Sequence, residues 1–398
     1  MIYLDNAATS FPKPPAVAEA LVAALGSFGN PSRSAHEAAL TAGRCVEGLR
    51  AKIAGFFGCP WPERVVFTKN VTEALNLAIS SLQGHIVTTE AEHNSVLRPV
   101  HRHGNYTVVP VDGRGVYTAE SIARACRPDT AAVVVAQASN LTGNLAPLED
   151  IACLCRERGL YLIVDAAQTA GFMEFNLEKT GVDAYCFTGH KSLYGPQGTG
   201  GLVLSQRFTP EPLMVGGSGS RSFEPTQPDQ LPDRLEAGTL NGHGLAGLSA
   251  GLDYVRNMGP AELLARADRL ARLFYGELKE RVGERSSPAS AGPLEPHRGL
   301  GGAEPRRDPG GVTFYGDYQA GLRMPIVTLN VEGATSEEVA AYLAEEHDIA
   351  VRAGAHCAPL LHRRFGTEKR GAVRFSFSHF NTEPEVRAAV EALERLVR

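Results

Sequence analysis

Apolar and polar positions fall into alternating blocks through the first 205 residues. Strand-like runs, several of them unbroken and β-branched, recur at RVVFT (64–68), HIVTT (85–89), YTVVPV (106–111), AAVVVAQ (131–137), YLIVDAA (161–167), DAYCFT (183–188) and GGLVLS (200–205). Between several of them lie segments of helical periodicity, among them TEALNLAISSL, NSVLRPVHRHG and PLEDIACLCRERG. Runs with no polar face suit strands covered on both sides. Their alternation with helices predicts an α/β fold built on a mostly parallel sheet. In such sheets a ligand binds beyond the carboxyl ends of the strands, so unusual residues there are the ones to pursue.

From about residue 244 the texture changes. Two long helical stretches, GLAGLSAGLDYVRNM and PAELLARADRLARLFYGELKERV, are followed by a Gly-, Pro- and Arg-rich segment at 285–311. That segment has little to bury and reads as a surface loop or flexible insertion. MPIVTLNVEG, SEEVAAYLAEEH, IAVRAG, AVRFSFS and TEPEVRAAVEALERLV then form a second β/α set. The expected organisation is an N-terminal segment over 1–14 that packs with the smaller domain, a large domain over 15–245 and a small one over 246–398. No repeat or coiled coil is visible.

Composition narrows the class without choosing a function. The chain has 398 residues, 43% of them apolar, and a formal net charge of −5, which gives no reason to expect nucleic acid or an acidic membrane surface. No apolar run approaches a membrane span, and MIYLDNAATSFPKP has no signal-peptide layout. The seven cysteines are odd in number, which predicts reduced thiols in a cytoplasmic setting. Cys153 and Cys155 share a helical segment but lie on different faces, so they read as packing residues and no metal is expected.

Two stretches carry chemistry. In FTGHKSLYGPQGTGG (187–201) Lys191 sits in a glycine-rich turn just after a core strand. A lysine is ordinarily a solvated surface group. One held in the ligand crevice, with a lowered pKa, becomes a Schiff-base nucleophile. In YLIVDAAQ, Asp165 ends an apolar run, where a carboxylate is costly without a donor or cation. The bland reading is a helix cap. The functional one is a partner for a protonated pyridine nitrogen, and the two residues together fit pyridoxal phosphate, whose ring acts as an electron sink.

With these motifs in hand, the chain resembles the class V aminotransferase family of pyridoxal-phosphate enzymes (fold type I), and within it the cysteine desulfurases. The likeness runs through YLDNAATSFPKP, GNPSRSAH, NVTEALN, EAEHNS, SNLTGN, VDAAQ, TGHK, LYGPQGTGG, EAGTLN, RAGAHCAP and the arginine of AVRFS. RAGAHCA is similar to the short-loop, SufS-type group. The resemblance implies that Lys191 holds the cofactor, Asp165 pairs with its ring nitrogen, Gln168 with its phenolic oxygen, and His93 stacks on the ring. It implies phosphate contacts from Thr72, Thr188 and His190, with Thr239 reaching the phosphate of a neighbouring subunit in a homodimer. Asn140, Arg374 and Arg352 would meet the substrate, Arg374 as a fork on its carboxylate. Thr72 has independent support, since it comes after a strand and opens a helix, where phosphate binds well. Singly, each has a plainer reading: His93 as a helix-start residue, Thr72 as a cap, Arg374 as a solvent-facing strand residue, Asn30, Pro31 and His36 as a turn and helix start.

Cys357 lies in GAHCAP, too rich in small residues for a strand, ahead of PLLHRRFG. Free cysteines are most often buried and inert, and the other six are read so. A thiol near a helix start with His356 and Arg352 beside it is expected to ionise readily. The resemblance then implies that Cys357 takes sulfur from L-cysteine as a persulfide, leaving L-alanine, and hands it to an acceptor. Alternatives are a selenocysteine lyase, another class V reaction such as transamination, and a non-catalytic cofactor-binding carrier or scaffold. Two departures stand out: the 285–311 stretch has no recognised counterpart, and Arg374 is flanked by Val and Phe where the SufS-type group has a CRAS-like run.

Overall fold

The computed structural model describes residues 1–31, 35–219, 221–283 and 311–398. The expected insertion at 285–311 therefore lies outside the described residues except for Gly311, as do Ser32, Arg33 and Ser34 of GNPSRSAH.

A seven-stranded sheet runs in the order Val65–Thr68, Gly200–Leu204, Ala184–Thr188, Tyr161–Asp165, Thr130–Ala136, His85–Thr89, Tyr106–Val109. Pairing is parallel except at Gly200–Leu204, which is antiparallel to both neighbours. The apolar runs form these strands because both faces are covered. Val133, Val135, Leu162, Val164, Tyr185 and Phe187 enter one core, while Ala132, Val134, Ile163, Ala184 and Cys186 enter the other. Successive residues point to opposite faces, so a strand buried twice is mostly apolar, and a polar residue in it needs a partner, as Thr88 has in the Val134 carbonyl at 2.8 Å. Gly200 is required by closeness: a Cβ there would lie 2.8 Å from Asn70 Cα and from the Phe187 carbonyl oxygen. That contact seats the start of helix Val71–Ser80 against the sheet.

A four-stranded antiparallel sheet, Arg352–Gly354, Ala372–Ser376, Ile326–Val331 and Val312–Tyr315, forms a second body. Helices Pro260–Val282, Ser336–His347 and Glu383–Val397 supply Phe274, Leu343 and Leu393 to its core. Ser336–His347 and Glu383–Val397 each begin with a capping box, at Thr335 and Thr382. The N-terminal strand Ile2–Tyr3 pairs in parallel with Ile349–Ala350, and Leu4 joins this second core.

One buried ion pair ties the main sheet to the segment before helix Gly242–Met258. Arg50 forks onto Glu236 at 2.8 and 3.0 Å, and Glu236 also accepts the Phe67 amide at 2.7 Å. Burial pushes the Glu236 carboxyl up, and Arg50 opposes it. Removing one partner leaves a charge stranded in the core. Arg50→Met is therefore expected to cost about 3–5 kcal/mol in chemical denaturation at neutral pH. A loss below about 1 kcal/mol would mean that the pair is not ionic in the folded chain.

Candidate active site

Five strands of the main sheet end at the same edge, and their last residues or the turns just beyond them line one cavity. Thr68 leads to Asn70, Val71 and Thr72. Thr89 leads through Glu92 to His93. Ala136, Asp165 and Thr188 are themselves the last residues of their strands. Asn140, Gln168, His190, Lys191, Arg352, His356 and Arg374 complete the wall. The second sheet and the loop after Arg352–Gly354 thus bring two arginines and a histidine to a cleft whose other residues come from the main sheet's edge and from Ala7 and Ala8 of the N-terminal segment.

Lys191 is buried deeply enough that desolvation lowers its amine to about 8, while Asp165 pulls the other way. Asp165 is 4% exposed and accepts the Ala167 amide on Oδ1 at 2.9 Å. Burial raises its pKa and the Lys191 charge opposes this. His93 caps helix Asn94–His103, with Nδ1 accepting the Ser95 amide at 3.0 Å. An accepting Nδ1 leaves the hydrogen on Nε2, and burial, Lys191 and the arginines lower the ring to about 4. The ring is therefore neutral, and His93 is both a helix-start residue and a wall of the cavity. His190 is likewise pushed down to about 4 by burial and neighbouring lysines.

Helix Val71–Ser80 is capped by Asn70, which accepts the Glu73 amide, so Thr72 is not the cap. Its hydroxyl instead meets Ser95 Oγ at 2.8 Å, and its amide is among the first-turn donors that have no helical acceptor. Gln168 donates from Nε2 to the Ala7 carbonyl at 3.2 Å.

Arg374 is 2% exposed and does not face solvent. It donates to Asp5 Oδ1 at 2.8 Å and to the Asn140 carbonyl at 3.0 Å. Its cross-strand partner in the antiparallel register is Arg352. Like charges directly opposite one another are unfavourable; burial lowers the Arg374 pKa, Asp5 opposes this, and Arg352 adds to the lowering. Two arginines so placed at a cavity suit an anion between them.

The loop after Arg352–Gly354 turns through two consecutive left-handed non-glycine residues, His356 at φ +51° and Cys357 at φ +55°. Such backbone costs about 1 kcal/mol or more per residue. The loop is pinned by its carbonyls: Asn140 Nδ2 donates to His356 O at 2.7 Å, and the Asn94 amide donates to Cys357 O at 2.8 Å. His356 points inward at 5% exposure, while Cys357 is exposed. The expectation that His356 helps to charge the thiol needs correction. Its Nε2 meets the Arg352 carbonyl at 3.1 Å, so that nitrogen carries the hydrogen, and burial holds its pKa well below the usual value. The imidazole is neutral and contributes no positive charge.

Thr239 stands apart. It lines a different cavity, with Leu213, Met214 and Asn241, and does not meet the Lys191 site within this chain. Cys153 is exposed and so is not a packing residue, although Cys155 on the other face is buried.

Three features escape the sequence reading. Glu92 is fully buried, accepts Thr89 Oγ1 and the Ala136 amide, each at 2.6 Å, and is raised by burial to about 8. Its only signal is its place beside His93 in EAEHNS. Asp5 and Ala7 reach the site from the N-terminal segment, and His356 forms part of the wall.

The cavity holds unspent polar atoms that suit a phosphorylated pyridine aldehyde and an amino acid. Thr188 Oγ1, His190 Nδ1, Asn140 Oδ1 and Arg374 Nε are buried with no hydrogen-bond partner. Buried groups of this kind are normally satisfied. A lysine amine, a facing carboxylate, helix-start donors and arginine N–H groups are the complement that pyridoxal phosphate and a carboxylate substrate require, so the residues present fit the group.

A family model described as aminotransferase class-V matches residues 2–293 and 307–389. A probable cysteine desulfurase of Methanothermobacter thermautotrophicus is 32% identical over 409 residues, covering 99% of this chain and 94% of the relative. One of Pseudomonas aeruginosa is also 32% identical, covering 99% and 93%. Among solved structures, the apo cysteine desulfurase of Thermococcus onnurineus superposes with a TM-score of 0.87 at 31% identity, covering 100% of this chain and 94% of the other. The cysteine desulfurase CsdA of Escherichia coli, described as an S-sulfonic acid form, gives 0.82 at 27% identity, covering 99% and 94%.

Proposed function

We propose that this chain, which belongs to the class V aminotransferase family, is a pyridoxal-phosphate-dependent cysteine desulfurase that converts L-cysteine to L-alanine and carries the sulfur on Cys357. The observation that carries the reading is the meeting of Lys191, Asp165, His93 and Arg374 in one cavity beside a loop that exposes a thiol.

When bound, the cofactor supplies an electron sink for charge developing at the substrate α-carbon. The chain supplies the rest. Lys191, with its lowered pKa, anchors the cofactor and then moves the α-proton. Asp165 holds the ring nitrogen in its protonated form, and Gln168 and Asn140 bind the ring oxygen and the substrate. His93, a neutral wall of the cavity, would pack against the bound cofactor without adding charge beside it. Thr72, Thr188 and His190 hold the phosphate. Arg374 and Arg352 orient the substrate carboxylate, with Asp5 steadying Arg374. Cys357 attacks the substrate sulfur as a thiolate. The S–S bond forms, the Cβ–S bond breaks, and its electron pair stays on carbon, which is protonated to give alanine.

The active unit in this reading is a homodimer. Thr239 serves the neighbouring subunit's phosphate, which is consistent with its lining a different cavity of its own chain. Exposed Leu213, Met214 and Val215 close to its cavity would be covered there. Among the described residues no helix is long and apolar enough to cross a membrane, and the described cysteines are free thiols; both agree with a cytoplasmic enzyme that passes sulfur to an acceptor protein.

The test is alanine release from L-cysteine by the purified holoprotein. Without a thiol reductant the expected yield is about one alanine per site, and with reductant many turnovers are expected. Alanine release with no reductant dependence would argue against a protein-bound sulfur, and none at all would remove the desulfurase reading.

A further inference from the structure

Residues 9–13 converge on a single peptide group. The His190 carbonyl accepts the Ser10 amide at 3.1 Å, Thr9 Oγ1 at 3.0 Å, Ser10 Oγ at 3.2 Å and Lys13 Nζ at 2.6 Å. The next carbonyl, of Lys191 itself, lies 2.9 Å from Ser10 Oγ. Lys13 also donates to Ser10 Oγ at 2.7 Å. A hydroxyl that accepts from an ammonium turns its own hydrogen elsewhere, and among the described residues the 190 and 191 carbonyls are the acceptors within its reach. Lys13 therefore acts on this peptide directly and through Ser10.

We propose that Lys13 is a positioning residue that fixes the His190–Lys191 peptide, and so aims the Lys191 amine at the cofactor. The proposal rests on the reading of Lys191 as the cofactor's anchor. Among the described residues the Lys13 amine makes no hydrogen bond beyond those to Ser10 and the His190 carbonyl. Among the described residues no carboxylate pairs with it, and burial lowers its amine to about 8. An ammonium drawn from water without a counter-ion weakens the fold. The unfolded chain binds that proton more tightly, so between about 8 and 10.5 this group makes stability rise with pH. Pro12 and Pro14 flank it and restrict the backbone on both sides. His190, whose neutral ring feels the Lys13 charge, and Lys191 are the titratable groups around it. The same segment holds Arg374 through Asp5 and Gln168 through the Ala7 carbonyl. Lys13 is thus one anchor of a strap that sets substrate-side and cofactor-side groups from one stretch of chain.

The experiment compares the parent holoprotein with Lys13→Met and Lys13→Arg. Melting temperature, pyridoxal phosphate affinity and the pH midpoint of the bound cofactor's visible absorbance are measured between about pH 6 and 10. The Met variant is expected to melt no lower than the parent, yet to bind the cofactor about tenfold more weakly and with a displaced midpoint. The Arg variant keeps the donor and should stay close to the parent. A Met variant equal to the parent in affinity and midpoint overturns the proposal. So does one whose melting temperature falls while the midpoint stays put, because that is support of the fold alone. Borohydride reduction and peptide mapping separate the two levels: if the parent's cofactor is not fixed on Lys191, the anchor reading fails whatever Lys13 does.

Discussion

A Lys191→Ala variant is expected to purify without covalently held cofactor and to release alanine from L-cysteine more slowly by a factor on the order of 10³–10⁴. In the proposed reading the amine has two tasks, attachment and proton transfer, and among the described residues no other lysine lines the cavity. His93 and His190 line the same cavity, but both rings are pushed down to about 4 and are poor proton acceptors at neutral pH. The lowered amine also sets a pH dependence. Capture of free cofactor by the cofactor-free protein needs the neutral amine, so its rate should climb as pH approaches about 8 and flatten above it. A solvated lysine would keep climbing to about pH 10.4. Absorbance on mixing measures this, and a climb with no plateau would show that burial does not set the amine's pKa.

The second large effect is at Cys357. A Cys357→Ala variant should keep its bound-cofactor spectrum and lose alanine formation from cysteine by at least about 10³-fold. The two readouts part because the thiol is exposed and does not line the cavity of Lys191 and Asp165, where the proposed reading puts the cofactor. The left-handed turn at His356 and Cys357 explains the division, since it sends one side chain inward and the next outward. Should the variant release alanine at the parent rate, Cys357 is not the nucleophile.

The sequence is most legible where a residue is forced by two demands at once. Strands covered on both faces must be mostly apolar, so most strands of the main sheet show as apolar, often β-branched runs, and these in turn mark the edge where Asp165 and Lys191 belong. Helices Pro15–Ser27 and Glu37–Phe56 are harder to see, because alanine- and glycine-rich stretches such as AVAEALVAAL blur the apolar stripe. AVRFSFS reads as alternating, yet Ala372–Ser376 is buried at every position, since its polar residues face the cleft and the N-terminal segment. Long-range placement is the least legible of all. Nothing local announces that Asp5 meets Arg374, that Lys13 meets His190, or that Glu92 is sealed beneath Ala136. Nor does composition reveal that His356 is neutral, which is set by burial and by one carbonyl.

The central claim is that sulfur leaves cysteine for Cys357. It is met most directly by mixing the holoprotein with a single equivalent of L-cysteine, without reductant, and mapping the alkylated peptides by mass. The expected result is one added sulfur atom on the peptide carrying Cys357, with alanine formed in equal amount. Alanine formed with no added sulfur on that peptide, or with the sulfur on another cysteine, would contradict the account.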